Sequence, residues 1–597
     1  MRRLALMVSV TALVATMAGP ASAGPDPSAP AAAKRTCISG AHTLSPPGAH
    51  VYPEMGNAGY LNIRTSVHLV YDAPSNRFLR GNHVRLQIKA QHCLNDFSLD
   101  LERHSPDKVN GPDLRVRAVT VDGKPATWRF EQPTYPGDPN GQNDPDPRAH
   151  EASQNNPVGG PGDNPLPPAC TPEVTGGDVD GQDGQQCPKN KLVITPKHPI
   201  ARGRTVVVKV AYTGRPGTHI DGDGSTEGWF RSKHPKGDGG FVTTEPVGTE
   251  DWMPLNNYPT AKPFYDFAET VNKSRTAIAN GRLGAVRTHR PDKQFPHGSR
   301  TFHWRTNQGV ASYLVESSVG HYDLTSRKGS DGIRYYMAQA SSLSPARKRA
   351  NLRVMRQQQR ITDFQATFNG PFPFPSDGVV IGTPPASFEE EMQSMITFAG
   401  GRIDLDTFNH ENMHQWWGDH VTEGGFSMTF FKEGMATVGE YLFHARRARA
   451  QAGGPGTPAG RAAFQRSLVK SFNRAYASTG EIWTGAPSDP TPATLFDGGT
   501  TYTRPGAAYL ALRQILGHQR FVKALHFVQR QYGFISEPQL EAAFAHYLPT
   551  DSTGCQTRLA DFFTQWFDTA YPSGSEPTLT GPGLHGEGFY DHGHTCL

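Results

Sequence analysis

Cysteine is scarce in this 597-residue chain: there are six, and none forms a CxxC pair. That spacing disfavours zinc ribbons and thioredoxin-type redox sites. Basic runs of five or more are missing, and 59 basic residues nearly offset 55 acidic ones, for a formal charge of +4. A nucleic-acid binder working through a basic surface is therefore disfavoured, as is a polybasic membrane patch. Beyond the N-terminus no stretch approaches about 18 uninterrupted apolar residues, so no integral membrane segment is expected in the mature protein. No internal repeat is found.

The N-terminus itself is informative. Arg2 and Arg3 precede the apolar stretch LALMVSVTALVATMAG, Gly19-Pro20 breaks it, and Ala21-Ser22-Ala23 supplies small residues. Residues 1–23 read as a secretory signal cleaved near Ala23, which places the mature protein outside the cell. An even cysteine count in an oxidising compartment implies disulfides. Sequence proximity favours Cys37–Cys93, Cys170–Cys187 and Cys555–Cys596.

After an Ala/Pro-rich leader, segments such as HLVYDA, HVRLQIKA, LRVRAVTV and TVVVKVAYTG alternate apolar and polar residues and end in turn formers. Period two marks strands with one buried face, so a large antiparallel β domain is expected over residues 24–320. A Gly/Pro/Asp/Asn-rich insertion at about 133–188 interrupts it and cannot bury much surface. There GGDVDGQDG spaces Asp178, Asp180 and Asp183 as calcium ligands are spaced, and DGDGSTEG does so further on with Asp221 and Asp223. Neither supplies the glutamate an EF-hand loop requires, so both are expected to be solvated loops.

From about residue 344 the pattern turns helical, with Ser344 ahead of Pro345 as the start signal. FNGPFPFPSDGVVIG breaks that helix and leads into a strand. Further helices are expected near 404–420, 430–450, 459–477, 505–532, 537–547 and 557–567. The expected class is α+β: a β domain, then a mainly helical domain with some sheet over 321–575, and a tail at 576–597.

Residues 410–420 read HENMHQWWGDH. On a helix, positions i and i+4 share a face, so His410 and His414 can present both imidazoles to one ion. Glu411 is rotated by about 100° from His410 and can reach a water at the metal without being a ligand. A catalytic zinc site takes a third protein ligand. FFKEGMATVGEYLF offers Glu433 on a following helical segment, with 18 residues between it and His414. Glu440 on the same helix face, or Asp419, could orient a ligand histidine through its second ring nitrogen. His592 and His594, in a Gly-rich tail beside Cys596, are expected to be solvated.

These residues resemble a known family. HENMHQWWGDHVTEGGFSMTFFKEGMATVGEYL is similar to the zinc-site block HExxHQWFG…NEGFAxYxE of the aminopeptidase N family, peptidase family M1. TTEPVGTEDWMPLNNYPTAKPFYDF resembles the family's EP…WFPxxDxPxxKA segment, and FNGPFPFPSDGVVI its FGxYPFxxxDVV segment. TYTRPGAAYLALRQILG resembles its YxKG or YxRG segment and following helix. The resemblance covers about residues 60–570, apart from the insertion. It implies an N-terminal β-saddle domain and a thermolysin-like catalytic domain. It further implies one zinc ion on His410, His414 and Glu433, with Glu411 as general base and Tyr502 as the phenol that steadies an oxyanion. Peptides or proteins would be the substrates, losing residues from their N-termini by hydrolysis.

The chain departs from the family in several places. Where relatives have a GxMEN loop it reads SFEEEMQSMITF. Aligning MITF on the family's LITY places Glu391 on the glutamate that binds a substrate's free α-amine, and Glu389 or Glu390 is expected to be solvated or ion-paired. Thr243 stands where many relatives have glutamine, and Pro505 where they have glycine. The chain stops soon after FFTQWFDTAYPSG, short of the large helical domain that caps the site in many members, which implies a more open cleft. Two other readings stay open: a zinc endopeptidase with a diverged amine-recognition loop, and an exported binding protein that keeps a metal site without turnover.

Overall fold

The computed structural model describes residues 37–44, 51–103, 110–133, 190–232, 239–386, 388–476, 482–531, 533–548 and 553–571. The signal peptide, the Asp178–Asp183 loop, the pairings Cys170–Cys187 and Cys555–Cys596, and the tail with His592 and His594 lie outside them.

Strands form where the alternation is regular. In Tyr60–Asp72 the side chains of Val67, Leu69 and Tyr71 are buried, and in His83–Ala90 those of Val84, Leu86 and Ile88. Both belong to a nine-stranded sheet in the order 282–289, 299–309, 264–272, 60–72, 77–78, 205–215, 113–121, 124–125, with 83–90 pairing both 60–72 and 205–215. One pair departs from the antiparallel expectation: Tyr60–Asp72 runs parallel to Phe264–Asn272. A parallel pair needs a long crossover, and the rest of the β region supplies it. A five-stranded sheet (218–220, 226–231, 240–243, 317–320, 276–279) and a three-stranded sheet (97–100, 191–195, 127–131) share one core with it, built around Trp229, Trp252 and Trp304. A Cys37–Cys93 disulfide, with Cα atoms 4.6 Å apart, ties the first described segment to this region. DGDGSTEG is no solvated loop, because Asp221 and Glu227 are fully buried and only the turn between them reaches the surface.

The chain then adds a four-stranded sheet (322–328, 334–340, 376–381, 396–398) and nine helices among the described residues. These are α1 Pro345–Met355, α2 Gln358–Asn369, α3 Leu405–His414, α4 Thr429–Gln451, α5 Pro458–Tyr476, α6 Arg504–Leu516, α7 His518–Gln531, α8 Glu537–Ala545 and α9 Thr553–Phe563. Ser344 caps α1 by accepting from the Arg347 amide at 3.2 Å. The helix expected over 404–420 stops at His414, and the chain then turns through Gly418 at φ +115°. The one expected over 505–532 is two helices, because Gly517 adopts φ +72° after α6. Among the described residues no helix is long and apolar enough to cross a membrane.

Helix α4 positions the site, and two of its glycines explain how. A Cβ on Gly434 would fall 2.5 Å from the Pro505 Cβ at the start of α6. A Cβ on Gly439 would fall 2.8 Å from the Asn409 carbonyl oxygen on α3. Their absence lets α3 and α6 close on α4 from two sides, which brings Glu433 to the histidines of α3. Gly434→Ala is expected to force α6 away and lower stability by about 1–3 kcal/mol, as overpacking does. Thermal denaturation reads this directly, and an unchanged midpoint would contradict the packing argument.

Candidate metal centre and cleft

Helix α3 is nucleated by Asp404, whose carboxylate accepts from the amides of Asp406 (3.1 Å) and Thr407 (3.0 Å). Phe408 and Met413 bury one side of the helix, and His410 and His414 share the face turned toward α4. There the Glu433 Oε2 atom lies 3.1 Å from His410 Nε2 and 3.3 Å from His414 Nε2. A ligand atom from each of the three lies within 4.8 Å of the others. Two imidazole nitrogens and one carboxylate oxygen are a donor set that zinc takes in catalytic sites, so these residues fit the ion.

The second ring nitrogens are also engaged. His410 Nδ1 lies 2.8 Å from Glu440 Oε1, and His414 Nδ1 lies 3.0 Å from the Trp417 carbonyl oxygen. Both contacts direct Nε2 toward the metal position. The structure corrects the role expected of Asp419. Its buried carboxyl has no hydrogen-bond partner among the described residues, and the turn after His414 presents the Trp417 carbonyl instead.

A cavity of about 280 Å³ opens beside this cluster, lined in part by Glu245, Glu389, Glu391, Glu411 and Tyr502. Burial is the largest influence on Glu411 and raises its carboxyl well above the ordinary value; His410 opposes this, while Glu391 and Glu433 add to it. Tyr502 sits on a π-helical turn, Gly498–Thr503, begun by Asp497. Its ring stacks beside His410, with centroids 5.9 Å apart and planes 26° from parallel. Burial, then Glu433 and Glu245, push the phenol well above its ordinary value, so it is held protonated as a donor. The next residue anchors the turn. Arg504 is fully buried and donates to the carbonyls of Gly485 (2.7 Å), Gln565 (2.8 Å) and Thr569 (2.6 Å). Pro505 occupies the first turn of α6, where its missing N–H leaves no broken bond.

Glu391 does line the cleft, and its carboxylate is already engaged. Lys432 Nζ lies 2.8 Å from Glu391 Oε1, 2.5 Å from Glu245 Oε1 and 2.5 Å from Glu433 Oε1. Burial opposes the charge on Lys432, but the three carboxylates outweigh it and hold the ammonium well above its ordinary value. One cation cannot neutralise three anions. Glu433 and Glu391 are held below their ordinary values against burial, by Lys432 and then His414. Burial and then Glu391 push Glu245 well above its own, Lys432 notwithstanding.

The loop bearing Glu391 is pinned by the residue after HENMH. Gln415 donates from Nε2 to the Glu391 carbonyl at 2.7 Å and accepts from the Ser394 amide at 2.7 Å. Glu390, expected to be solvated or paired, is instead fully buried and accepts from the Thr244 amide at 2.8 Å. Glu389 is half-buried at the cavity wall, and Thr243 lies buried in its strand away from the lining. Sequence reasoning missed Lys432, Glu245, Gln415 and Arg504. The signal for Lys432 was visible: KEG stands where the resembled block has NEG.

Comparison with known proteins places these observations. Residues 402–566 match the family model described as the peptidase family M1 domain. An M1 zinc metallopeptidase from Deinococcus radiodurans is similar in structure, with a TM-score of 0.63 at 19% identity, covering 89% of this chain and 99% of that one. A mutant of that protein bound to a Tyr-Ser-Ala substrate aligns equally, at a TM-score of 0.63 and 19% identity over 89% and 99%. A two-domain M1 zinc metallopeptidase mutant bound to L-arginine gives 0.64 at 19% identity over the same shares. The shared fold is the α+β arrangement of a strand-rich N-terminal region and a helical C-terminal part.

Lys432→Met should leave Glu245 and Glu391 buried without their counter-charge and destabilise the protein by about 3–5 kcal/mol. Adding Glu391→Gln should recover part of that loss. A Lys432→Met protein as stable as its parent in thermal denaturation would contradict the charge assignment.

Proposed function

We propose that this chain, whose residues 402–566 match the peptidase family M1 domain, is a zinc metallopeptidase of that family and an exported aminopeptidase. The observation that carries the reading is the meeting of His410, His414 and Glu433 with Glu411, Tyr502 and two further carboxylates, Glu245 and Glu391, around one cavity. His410, His414 and Glu433 would hold one zinc ion, which when bound supplies Lewis-acid chemistry and lowers the pKa of water toward about 7.

The chain's own residues divide the remaining work. Glu411 takes a proton from the attacking water and hands it to the departing amine nitrogen, a general-base and then general-acid role that its buried carboxyl suits. Tyr502, held protonated, donates a hydrogen bond to the carbonyl oxygen as negative charge develops on it. Glu440 and the Trp417 carbonyl keep the two imidazoles aimed. Glu245 and Glu391 give the cavity a carboxylate end whose oxygens can accept hydrogen bonds from a peptide's α-ammonium. The Cys37–Cys93 disulfide supports an oxidising, extracellular setting, in keeping with a signal cleaved near Ala23.

One observation favours a second reading. Lys432 already supplies an ammonium to Glu245 and Glu391, so a free N-terminus must share those carboxylates with it. An endopeptidase would need no such sharing. Paired free and N-acetylated peptides separate the two: the aminopeptidase cleaves only the free form, one residue at a time, while internal cleavage of the blocked form would establish the endopeptidase. No chelator-sensitive hydrolysis of either would leave a binding protein.

Glu411→Gln should keep its zinc yet lose about 10²–10⁴-fold in kcat, the range of a general base. Full activity in that variant would remove Glu411 from the mechanism. Tyr502→Phe should lower kcat by about 10²–10³-fold with little change in KM, as loss of one oxyanion donor does. A change confined to KM would assign Tyr502 to substrate binding instead.

A further inference from the structure

A second cluster of ligating side chains lies buried in the β region. Strands Thr218–Ile220 and Thr226–Arg231 pair antiparallel with His219 opposite Glu227. Asp221 begins the turn between them, its amide donating to the Ser225 carbonyl at 2.8 Å. A ligand atom from each of His219, Asp221 and Glu227 lies within 4.8 Å of the others. Asp251 joins from the short turn Gly248–Asp251, and all four side chains are buried. Gly228 permits this closeness: it adopts φ +110°, and a Cβ there would fall 2.2 Å from Asp251 Oδ2.

The cluster repeats the plan of the cleft. His219 Nδ1 lies 2.8 Å from Asp251 Oδ2, as His410 Nδ1 lies 2.8 Å from Glu440. His219 Nε2 lies 2.8 Å from Glu227 Oε1, where His410 Nε2 meets Glu433 at 3.1 Å. In each, one carboxylate holds the imidazole through Nδ1 while another meets Nε2. Asp221 supplies the third group. Its Oδ1 accepts from the Tyr52 hydroxyl, while Oδ2 is buried with no hydrogen-bond partner among the described residues. Among the described residues, three buried carboxylates, those of Asp221, Glu227 and Asp251, gather around one imidazole. A cation would offset those carboxylates and use the unpartnered oxygen.

We propose that His219, Asp221 and Glu227 bind a divalent first-row transition-metal ion, with Asp251 orienting the imidazole. An imidazole among carboxylates suits such an ion better than calcium, which takes oxygen ligands alone. The ion braces the cleft from behind. Asp223 and Ser225 of the same turn line the cavity, and Glu227 accepts from the amide of Val247, two residues after Glu245, at 3.1 and 3.2 Å.

Zinc serves as the probe. Full-length protein is stripped with a chelator, reloaded with Zn²⁺, dialysed against metal-free buffer and assayed by elemental analysis. The wild type should retain about two equivalents, Asp221→Asn about one, and His410→Asn/His414→Asn about one. Asp221→Asn keeps the side-chain shape and the acceptor for Tyr52. Should it nevertheless fail to fold by circular dichroism, the double histidine variant decides, since one equivalent retained supports the second site and none overturns it. A wild type holding one equivalent, or an Asp221→Asn protein still holding two, also overturns it.

Discussion

One buried ammonium shared by three carboxylates is the interaction on which the cleft depends. Lys432 is fully enclosed, and Glu245, Glu391 and Glu433 converge on it from three different parts of the chain. Glu245 follows a strand of the β region, Glu391 belongs to the loop before the last strand of the four-stranded sheet, and Glu433 lies on α4 beside Lys432 itself. An uncompensated carboxylate in such a place would neutralise itself or disrupt the packing. The lysine lets the carboxylates gather beside two imidazoles, and thereby assembles the wall on which a metal and a peptide could meet.

That assembly also needs close helix packing, and the sequence records it in small residues. Gly434 and Gly439 are the points where α6 and α3 touch α4, one residue after Glu433 and one before Glu440. The spacing that makes Glu433 and Glu440 share a helix face thus also places both glycines at contacts. Arg504 completes the frame: its guanidinium collects carbonyls from two separate segments, at Gly485 and at Gln565 and Thr569, and fixes the turn that carries Tyr502.

Much of this is legible in the sequence alone. The fold class followed from a change of hydrophobic period, from two to helical, near residue 344. His410, His414 and Glu433 follow from i, i+4 geometry and a helix that can fold back, and these depend on local spacing alone. What escaped depends on partners far away in the chain. DGDGSTEG looks solvated when judged on its own composition, yet Tyr52 and Asp251 close over Asp221 and His219 from distant segments. Asp419 suits the role of orienting a ligand histidine only if the helix runs to residue 420. Its end at His414 hands that place to a backbone carbonyl, which no side-chain pattern announces. Lys432 was in plain view, but its significance lies in Glu245 and Glu391, which only the tertiary fold brings to it.

This arrangement of ligands and lysine is tested most directly by an anomalous difference map, collected at the zinc edge from crystals of the zinc-loaded protein. It predicts a peak about 2.0–2.2 Å from Nε2 of His410, Nε2 of His414 and a carboxylate oxygen of Glu433, with Lys432 still seated between Glu245 and Glu391. An empty map at those three atoms, or Lys432 turned away from the carboxylates, would contradict it.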